Sequence, residues 1–344
     1  MSRQRRKRPR SSAGFAGATK GSGAKQTGGL GGSRPPQQNK APLRDLIGYG
    51  KTPPDPKWPG GARLALQIVM NYEEGGERSI LHGDTEAEAF LQEVVGMPVL
   101  TGVRNLQVES MYEYGSRAGF WRLMRMFAER GLKISVFAVA MALERHSEAA
   151  AAIVEAGHEV VSHGWRWIDY QFVSEEVERE HMRRAVESLT RVTGSRPLGW
   201  YTGRLSPNTR RLVVEEGGFL YDADAYNDDL PYWTEVSGKP HLVIPYTLDT
   251  NDMKFGLPGG FATGDEWLAY ARDAFDVLYA EGADRPKMMS LGLHMRLMGR
   301  PGRAASLGRF LDHVERHDRV WICRRIDIAR HWVGQHPYQP RRTA

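Results

Sequence analysis

Short apolar runs bounded by turn residues recur along this chain, at 63–70, 133–140, 158–161, 198–202, 219–222, 242–247, 287–294 and 320–323. Their lengths, four to eight residues, predict strands. Stretches of helical period separate most of them, near 114–130, 147–156, 174–193, 205–217, 263–282 and 303–317, and a last one follows at 324–335. Ser174, just ahead of Val177-Glu178, predicts an N-cap, and Gly194 a C-terminal stop, for one of these helices. Repeated strand-then-helix order implies parallel strands joined by right-handed crossovers. The expectation is an α/β protein: a single distorted (β/α) barrel of seven or eight parallel strands spanning residues 41–344. An open doubly wound sheet is the runner-up. No Gly-x-Gly-x-x-Gly and no P-loop follows a strand, so the nucleotide-binding versions of that alternative lose their usual site.

Composition changes the picture at one end only. Of the 47 basic residues ten lie in residues 1–40, and of the 41 acidic ones none do, so the net charge of +6 hides a body with 37 basic against 41 acidic residues. The arm, which opens MSRQRRKRPR and continues in Ser, Gly and Gln, buries too little apolar surface to offset its ordering entropy and is expected to be disordered. It lacks aromatic platforms for bases and an apolar core like that of a secretory leader. Nucleic acid is therefore not expected as a partner, and a cytoplasmic location is. No apolar run approaches the roughly 18 residues of a membrane-spanning helix. Cys323, the sole cysteine, excludes an intramolecular disulfide and an all-cysteine metal site.

The chemistry collects after the strands. Asn71-Tyr72-Glu73-Glu74-Gly75-Gly76 follows the first, and Ser162-His163-Gly164-Trp165-Arg166-Trp167 follows the third. Trp200 and Tyr201 close the fourth ahead of Gly203 and Arg204, Asp222 closes the fifth with Asp224 beyond, Asp249, Asn251 and Asp252 follow the sixth, and the seventh ends in His294 with Arg296 beyond. In a parallel barrel all these ends share one rim, where such folds build sites. Adjacent acids are usually a solvated turn, but Glu73 and Glu74 follow an almost uncharged strand and precede two glycines, which points to a site. Lone histidines such as His163 and His294 have structural roles open to them as well. His313 and His317 have the spacing of some metal pairs; with Glu315-Arg316 between and Asp318 after, they read as surface.

At these motifs the sequence resembles the polysaccharide-deacetylase superfamily, and within it the metal-independent allantoinases. Asn71-Tyr72-Glu73-Glu74 stands where the superfamily has Thr-Phe-Asp-Asp. Ser162-His163 matches its second motif, but Trp167 replaces the further histidine, and Leu291-Gly292-Leu293-His294 matches Leu-x-Leu-His. Thr193-Gly194-Ser195-Arg196-Pro197 resembles the lead-in to an arginine motif, although Tyr201 takes the arginine's own place and Arg204 follows. The likeness runs from about Asp45 to His336 and leaves out the arm.

The resemblance implies a hydrolase that opens the cyclic amide of allantoin to allantoate in purine (ureide) catabolism, in a homo-oligomer and without a cofactor. Metal-dependent members hold a divalent cation with one aspartate and two histidines; Trp167 removes one of those ligands, so no metal is expected. Glu73, Glu74, His163 and His294 are the implied catalytic group, with Glu73 as base and His294 as acid. For that role the Glu73 pKa is expected to be raised, by burial and by Glu74. Arg166, Trp167, Trp200, Tyr201, Arg204, Asp222, Asn251 and Asp252 are the implied substrate-binding residues. A cyclic-imide hydrolase and a metal-dependent N-deacetylase are the alternatives.

Overall fold

The computed structural model describes residues 44–340, so the basic arm lies outside the described residues. The central strand is β1, Leu64–Tyr72, every residue of which is buried. Its even-numbered side chains, Leu64, Leu66, Ile68, Met70 and Tyr72, face the surrounding helices, while Ala65 and Val69 join the interior with Phe137, Val161, Tyr201, Ile244 and Tyr246. Burial on both faces explains why the strand reads as an unbroken apolar run, and alternation sends Asn71 and then Glu73 inward.

The other strands are β2 (Ser135–Ala138), β3 (Glu159–Ser162), β4 (Gly199–Trp200), β5 (Tyr221–Asp222), β6 (Tyr232–Val236), β7 (Lys239–Val243), β8 (Lys287–His294) and β9 (Val320–Cys323). They form one sheet in the order β6-β7-β5-β4-β3-β2-β1-β8, with β9 beside the first half of β1. All neighbours are parallel except β6 and β7. The sheet curls into a half-barrel, the distorted barrel that the strand-helix alternation predicts. The antiparallel β6 is an addition to the expected eight; Ser237-Gly238, with φ of 51° and 74°, forms its two-residue hairpin turn to β7. Between β8 and the β5–β7 side, the seam is crossed by loop contacts: Met288 N donates to Asp229 O at 3.0 Å and Thr250 Oγ1 to Ser290 O at 2.6 Å. Gly292 is required here, because a Cβ would come within 2.1 Å of Asn251 Nδ2 and 2.2 Å of the Tyr246 hydroxyl.

The helices α1 (Leu106–Tyr114), α2 (Phe120–Glu129), α3 (Ala140–Leu143), α4 (Ser147–Glu155), α5 (Glu175–Thr193), α6 (Thr209–Glu216), α7 (Gly264–Glu281), α8 (Pro301–Val314) and α9 (Arg325–Gln335) cover the outer face. Helix α5 starts and stops as its sequence demands: Ser174 Oγ accepts from Val177 N, and Gly194 adopts φ 76°. Helix α1 and the π-helical turn Gly115–Gly119 that joins it to α2 extend a segment expected to begin only at 114. Among the described residues no helix is long and apolar enough to cross a membrane.

A polar layer closes the interior at the strands' N-terminal half. Arg325, fully buried, donates to Gln67 Oε1 at 2.6 Å, Ser290 Oγ at 3.1 Å and Pro245 O at 3.0 Å, and also to Ile244 O. Beside it Glu159 accepts from Ser135 Oγ at 2.6 Å and the Tyr221 hydroxyl at 2.7 Å. Truncating Arg325 leaves several buried acceptors unpaired, each costing about 1–3 kcal/mol. Arg325→Ala is therefore expected to lower unfolding free energy by about 3 kcal/mol or more in urea titrations; a loss under about 1 kcal/mol would show that this layer is dispensable.

Candidate active site

The C-terminal ends of β1, β3 and β8 bring Glu73, His163 and His294 together. His163 Nε2 lies 3.2 Å and His294 Nε2 3.4 Å from the same oxygen, Glu73 Oε1. On its other side His294 Nδ1 meets Asp252 Oδ1 at 2.7 Å, and Asp252 Oδ2 accepts from the backbone N of His294 at 2.7 Å and of Met298 at 3.0 Å. Asp252 opens the 3-10 turn Asp252–Gly256, which Asn251 caps and the segment 244–251 links to β7. It orients His294 rather than facing a ligand.

The residue that organises the cluster is Arg296, two positions past His294 and 1% exposed. Its Nη2 donates to Glu73 Oε2 at 2.7 Å, its Nη1 to Glu74 Oε1 at 3.3 Å, its backbone N to that same Glu74 oxygen at 3.2 Å, and its Nε to Leu91 O at 2.8 Å. Tyr112 and Trp167 lie against the guanidinium, 4.2 and 5.2 Å from ring centroid to Cζ. The π-helical turn makes room for Glu74, since a Cβ on Gly115 would sit 2.2 Å from Glu74 Oε1. Sequence reading places Arg296 on the rim beyond His294 but gives it no catalytic or binding role. The signal was present: a guanidinium inside the otherwise apolar run Leu-Gly-Leu-His-Met-Arg-Leu-Met, where His294 is the one other polar side chain.

These contacts split the two carboxyls in the opposite sense to the expectation. Burial alone would raise Glu73, but the charges of His294 and Arg296 and the hydrogen bonds from both imidazoles hold it well below its ordinary value. Glu74 is the raised one, because burial and the neighbouring Glu73 outweigh Arg296. Burial would lower His294, yet Glu73 and Asp252 raise it to about 9. The expectation of a raised Glu73 is thus corrected, while His294 carries a proton at neutral pH. His163 Nδ1 is buried without a hydrogen-bond partner.

Tyr201 packs on His163 with ring centroids 4.9 Å apart, and Arg204 lies 3.8 Å over Trp167 while pairing with Glu88 at 3.2 Å. The remaining implied binding residues point elsewhere. Trp200 and Asp222 occupy the opposite strand face from Tyr201 and Ala223. Trp200 packs on Phe219 at 5.3 Å, and Asp222 is held by Arg210 at 2.7 Å and His241 at 2.8 Å. Arg166 is tied to Asp84 at 3.2 Å and Glu77 O at 3.0 Å, which makes the 82–84 stretch an anchored turn of the rim. Asn251 spends its side chain on Met253 N at 2.9 Å and the Tyr246 hydroxyl at 3.2 Å. Open cavities of about 550 Å³, lined by Thr263, Asp265, Arg300 and Arg303, and about 440 Å³, lined by Tyr226, Asp228, Tyr246 and Ser290, do not reach Glu73, His163, His294 or Arg296.

The cation that metal-dependent members hold does not fit this cluster. A guanidinium already bridges the two carboxylates, Trp167 fills the second-histidine position, and both imidazoles spend Nε2 on one oxygen.

The chain matches the family described as Polysaccharide deacetylase over residues 104–217. A Schizosaccharomyces pombe protein assigned by name to the polysaccharide deacetylases is 43% identical over 315 residues, 86% of this chain and 98% of that one. A crystal structure of Puue allantoinase superposes with a TM-score of 0.85 at 62% identity, covering 86% of this chain and 99% of that one. A Pseudomonas aeruginosa structure named as a probable polysaccharide deacetylase gives the same TM-score of 0.85 at 61% identity, with 86% and 99% covered.

Removing Arg296 leaves buried carboxylates uncompensated, a change that typically costs about 3–5 kcal/mol. Arg296→Met is expected to lose about that much stability near pH 8. Without the guanidinium the pair is favoured protonated in the folded state, so its folded pKa lies above the unfolded one. That contribution is present at low pH and fades as pH rises, so the variant should lie closer to wild type near pH 5. Equal losses at both pH values in urea titrations would refute the charge-balancing role.

Proposed function

Since the chain belongs to the polysaccharide-deacetylase family, a family of hydrolases, we propose that it hydrolyses the cyclic amide of allantoin to allantoate, without a metal, as a step in cytoplasmic ureide catabolism. The observation that carries this reading is Arg296 lying across Glu73 and Glu74, which puts a fixed organic cation where a deacetylase would need an exchangeable metal. The 62% identity to the Puue allantoinase structure over 99% of its length supports the choice of substrate.

Opening a cyclic amide needs a base for water, donors for the oxyanion and a proton for the departing nitrogen. Glu73 takes the proton of the attacking water as the oxygen–carbon bond forms. His294, held protonated by Asp252 and Glu73, delivers its Nε2 proton to the ring nitrogen as the carbon–nitrogen bond breaks. Glu73 then returns its proton to His294 across their direct contact, which restores the starting charges, and the new carboxylic acid ionises in water. A carboxylate held low is a weak base, so the acid and the oxyanion donors carry more of the barrier; His163 and the Arg296 guanidinium are the donors at hand. Tyr201 and Trp167 flank a flat ring, and Arg204 reaches over the latter. Glu88–Leu91 covers the cluster through Arg204, Trp167 and Arg296.

Relatives named as deacetylases favour a second reading, the N-deacetylase, against which the Trp167 and Arg296 positions argue. Metal-stripped protein offered allantoin, succinimide and an N-acetylglucosamine oligomer decides: allantoin is expected to be consumed. Consumption of the oligomer alone, and only after zinc is restored, would overturn the proposal; consumption of succinimide alone would move it to cyclic imides. Glu73→Gln should reduce turnover about 10²–10⁴-fold with the fold intact, and near-normal turnover would remove Glu73 as base. Above pH about 9 His294 gives up its proton, so kcat/KM should drop about tenfold per pH unit there. Because Glu73 stays ionised well below pH 4.5, it should not set an acid limb near neutrality.

A further inference from the structure

We propose that Asp276, His313 and His317 form a binding site for a divalent transition-metal ion, zinc being the best match, on the outer face of the α7–α8 pair. This inference is independent of the reaction assigned above. The three side chains offer ligand atoms within 4.8 Å of one another, a property of this group among the described residues and not of the Glu73 cluster. Two imidazoles and a carboxylate are a zinc donor set, with the remaining position open to water.

Three features show preparation beyond proximity. First, His317 Nδ1 lies 2.9 Å from His313 O. A carbonyl only accepts, so Nδ1 donates and Nε2 is the nitrogen left to face an ion, the arrangement by which backbone carbonyls orient metal-bound histidines. Second, the rings are held in place by aromatic walls. Phe275 meets His313 and His317 edge-on at 5.6 and 5.0 Å, and Tyr279 meets His317 at 4.9 Å. Little rotamer entropy is then lost when an ion arrives. Third, His313 lies in the last turn of α8, where unpaired carbonyls favour positive charge.

His313 Nε2 bonds Asp276 Oδ1 at 2.6 Å. Two tetrahedral zinc ligands stand about 3.4 Å apart, so a small rotation of the exposed carboxylate admits the ion. The bound ion would pin α7 to the turn leading from α8 into β9, which pairs with the first half of β1. The site thus lies toward the strand ends opposite the catalytic cluster, and its effect is on stability.

The test uses the full chain, stripped with a chelator and freed of it. Isothermal titration with zinc should show one equivalent bound and a raised Tm, and cobalt(II) should give the visible bands of tetrahedral coordination. His317→Ala and Asp276→Asn should each abolish that equivalent, the Tm rise and the cobalt bands, with turnover unchanged. Asp276→Asn keeps the side-chain shape and decides the matter if His317→Ala does not fold. Failure of the wild-type chain to bind zinc at micromolar concentration, or an equivalent that survives both substitutions, would overturn the proposal. A chelator that abolished turnover would count against the metal-free reaction instead, so the two ideas fail separately.

Discussion

Two adjacent glutamates are removed from water at the end of a central strand, and one guanidinium makes that possible. Desolvating a carboxylate costs several kcal/mol, repaid only when a partner meets it with good geometry. Arg296 does so with three of its nitrogens and its own backbone N–H, holding Glu73 on one side, Glu74 on the other and Leu91 O behind. The rest of the centre follows from this arrangement. With Glu73 kept ionised, its remaining oxygen becomes the meeting point for His163 and His294, and His294 in turn keeps its proton.

The fold supplies the precision. β1 and β8 are paired residue for residue from Leu64 with Lys287 to Asn71 with His294, so Glu73 leaves its strand two residues beyond the level of His294 on the neighbouring one. The π-helical turn before α2 gives Glu74 a cradle that an ordinary helical turn bearing a Cβ at 115 would fill. Asp252 reaches the cluster through a capped turn after β7, binding both the ring and the backbone of His294. Polar layers lie at both ends of an otherwise apolar interior, one around Arg325 and Glu159 and the other around Glu73.

A fixed guanidinium and an exchangeable metal are different ways to hold the same framework at workable charge. A metal would lower the pKa of a bound water and polarise a carbonyl directly. A guanidinium cannot coordinate water as a Lewis acid, but it is permanently charged and directional, and it spreads its donors over both carboxylates. In this chain the guanidinium and Trp167 pack together beyond the ends of β8 and β3, so they shape the centre without entering the sheet.

The sequence by itself determined the eight parallel strands, most of the covering helices, and the gathering of Glu73, Glu74, His163 and His294 on one rim. Each of these is local, written in apolar runs, helical period and the residue that follows a strand. It did not determine which polar residues face the site. Trp200 and Tyr201 are neighbours in sequence, yet the pleat sends one to the helices and the other to His163. Asp222 and Arg166 look like site residues until Arg210, His241 and Asp84 claim them. Nor did it determine protonation. Glu73 and Glu74 share composition, burial and a bond to Arg296, and differ in the two histidines, 90 or more residues away along the chain, that meet Glu73. Strand parity and charge pairing over such distances exist only once the sheet has closed around them, and so those decisions belong to the tertiary structure.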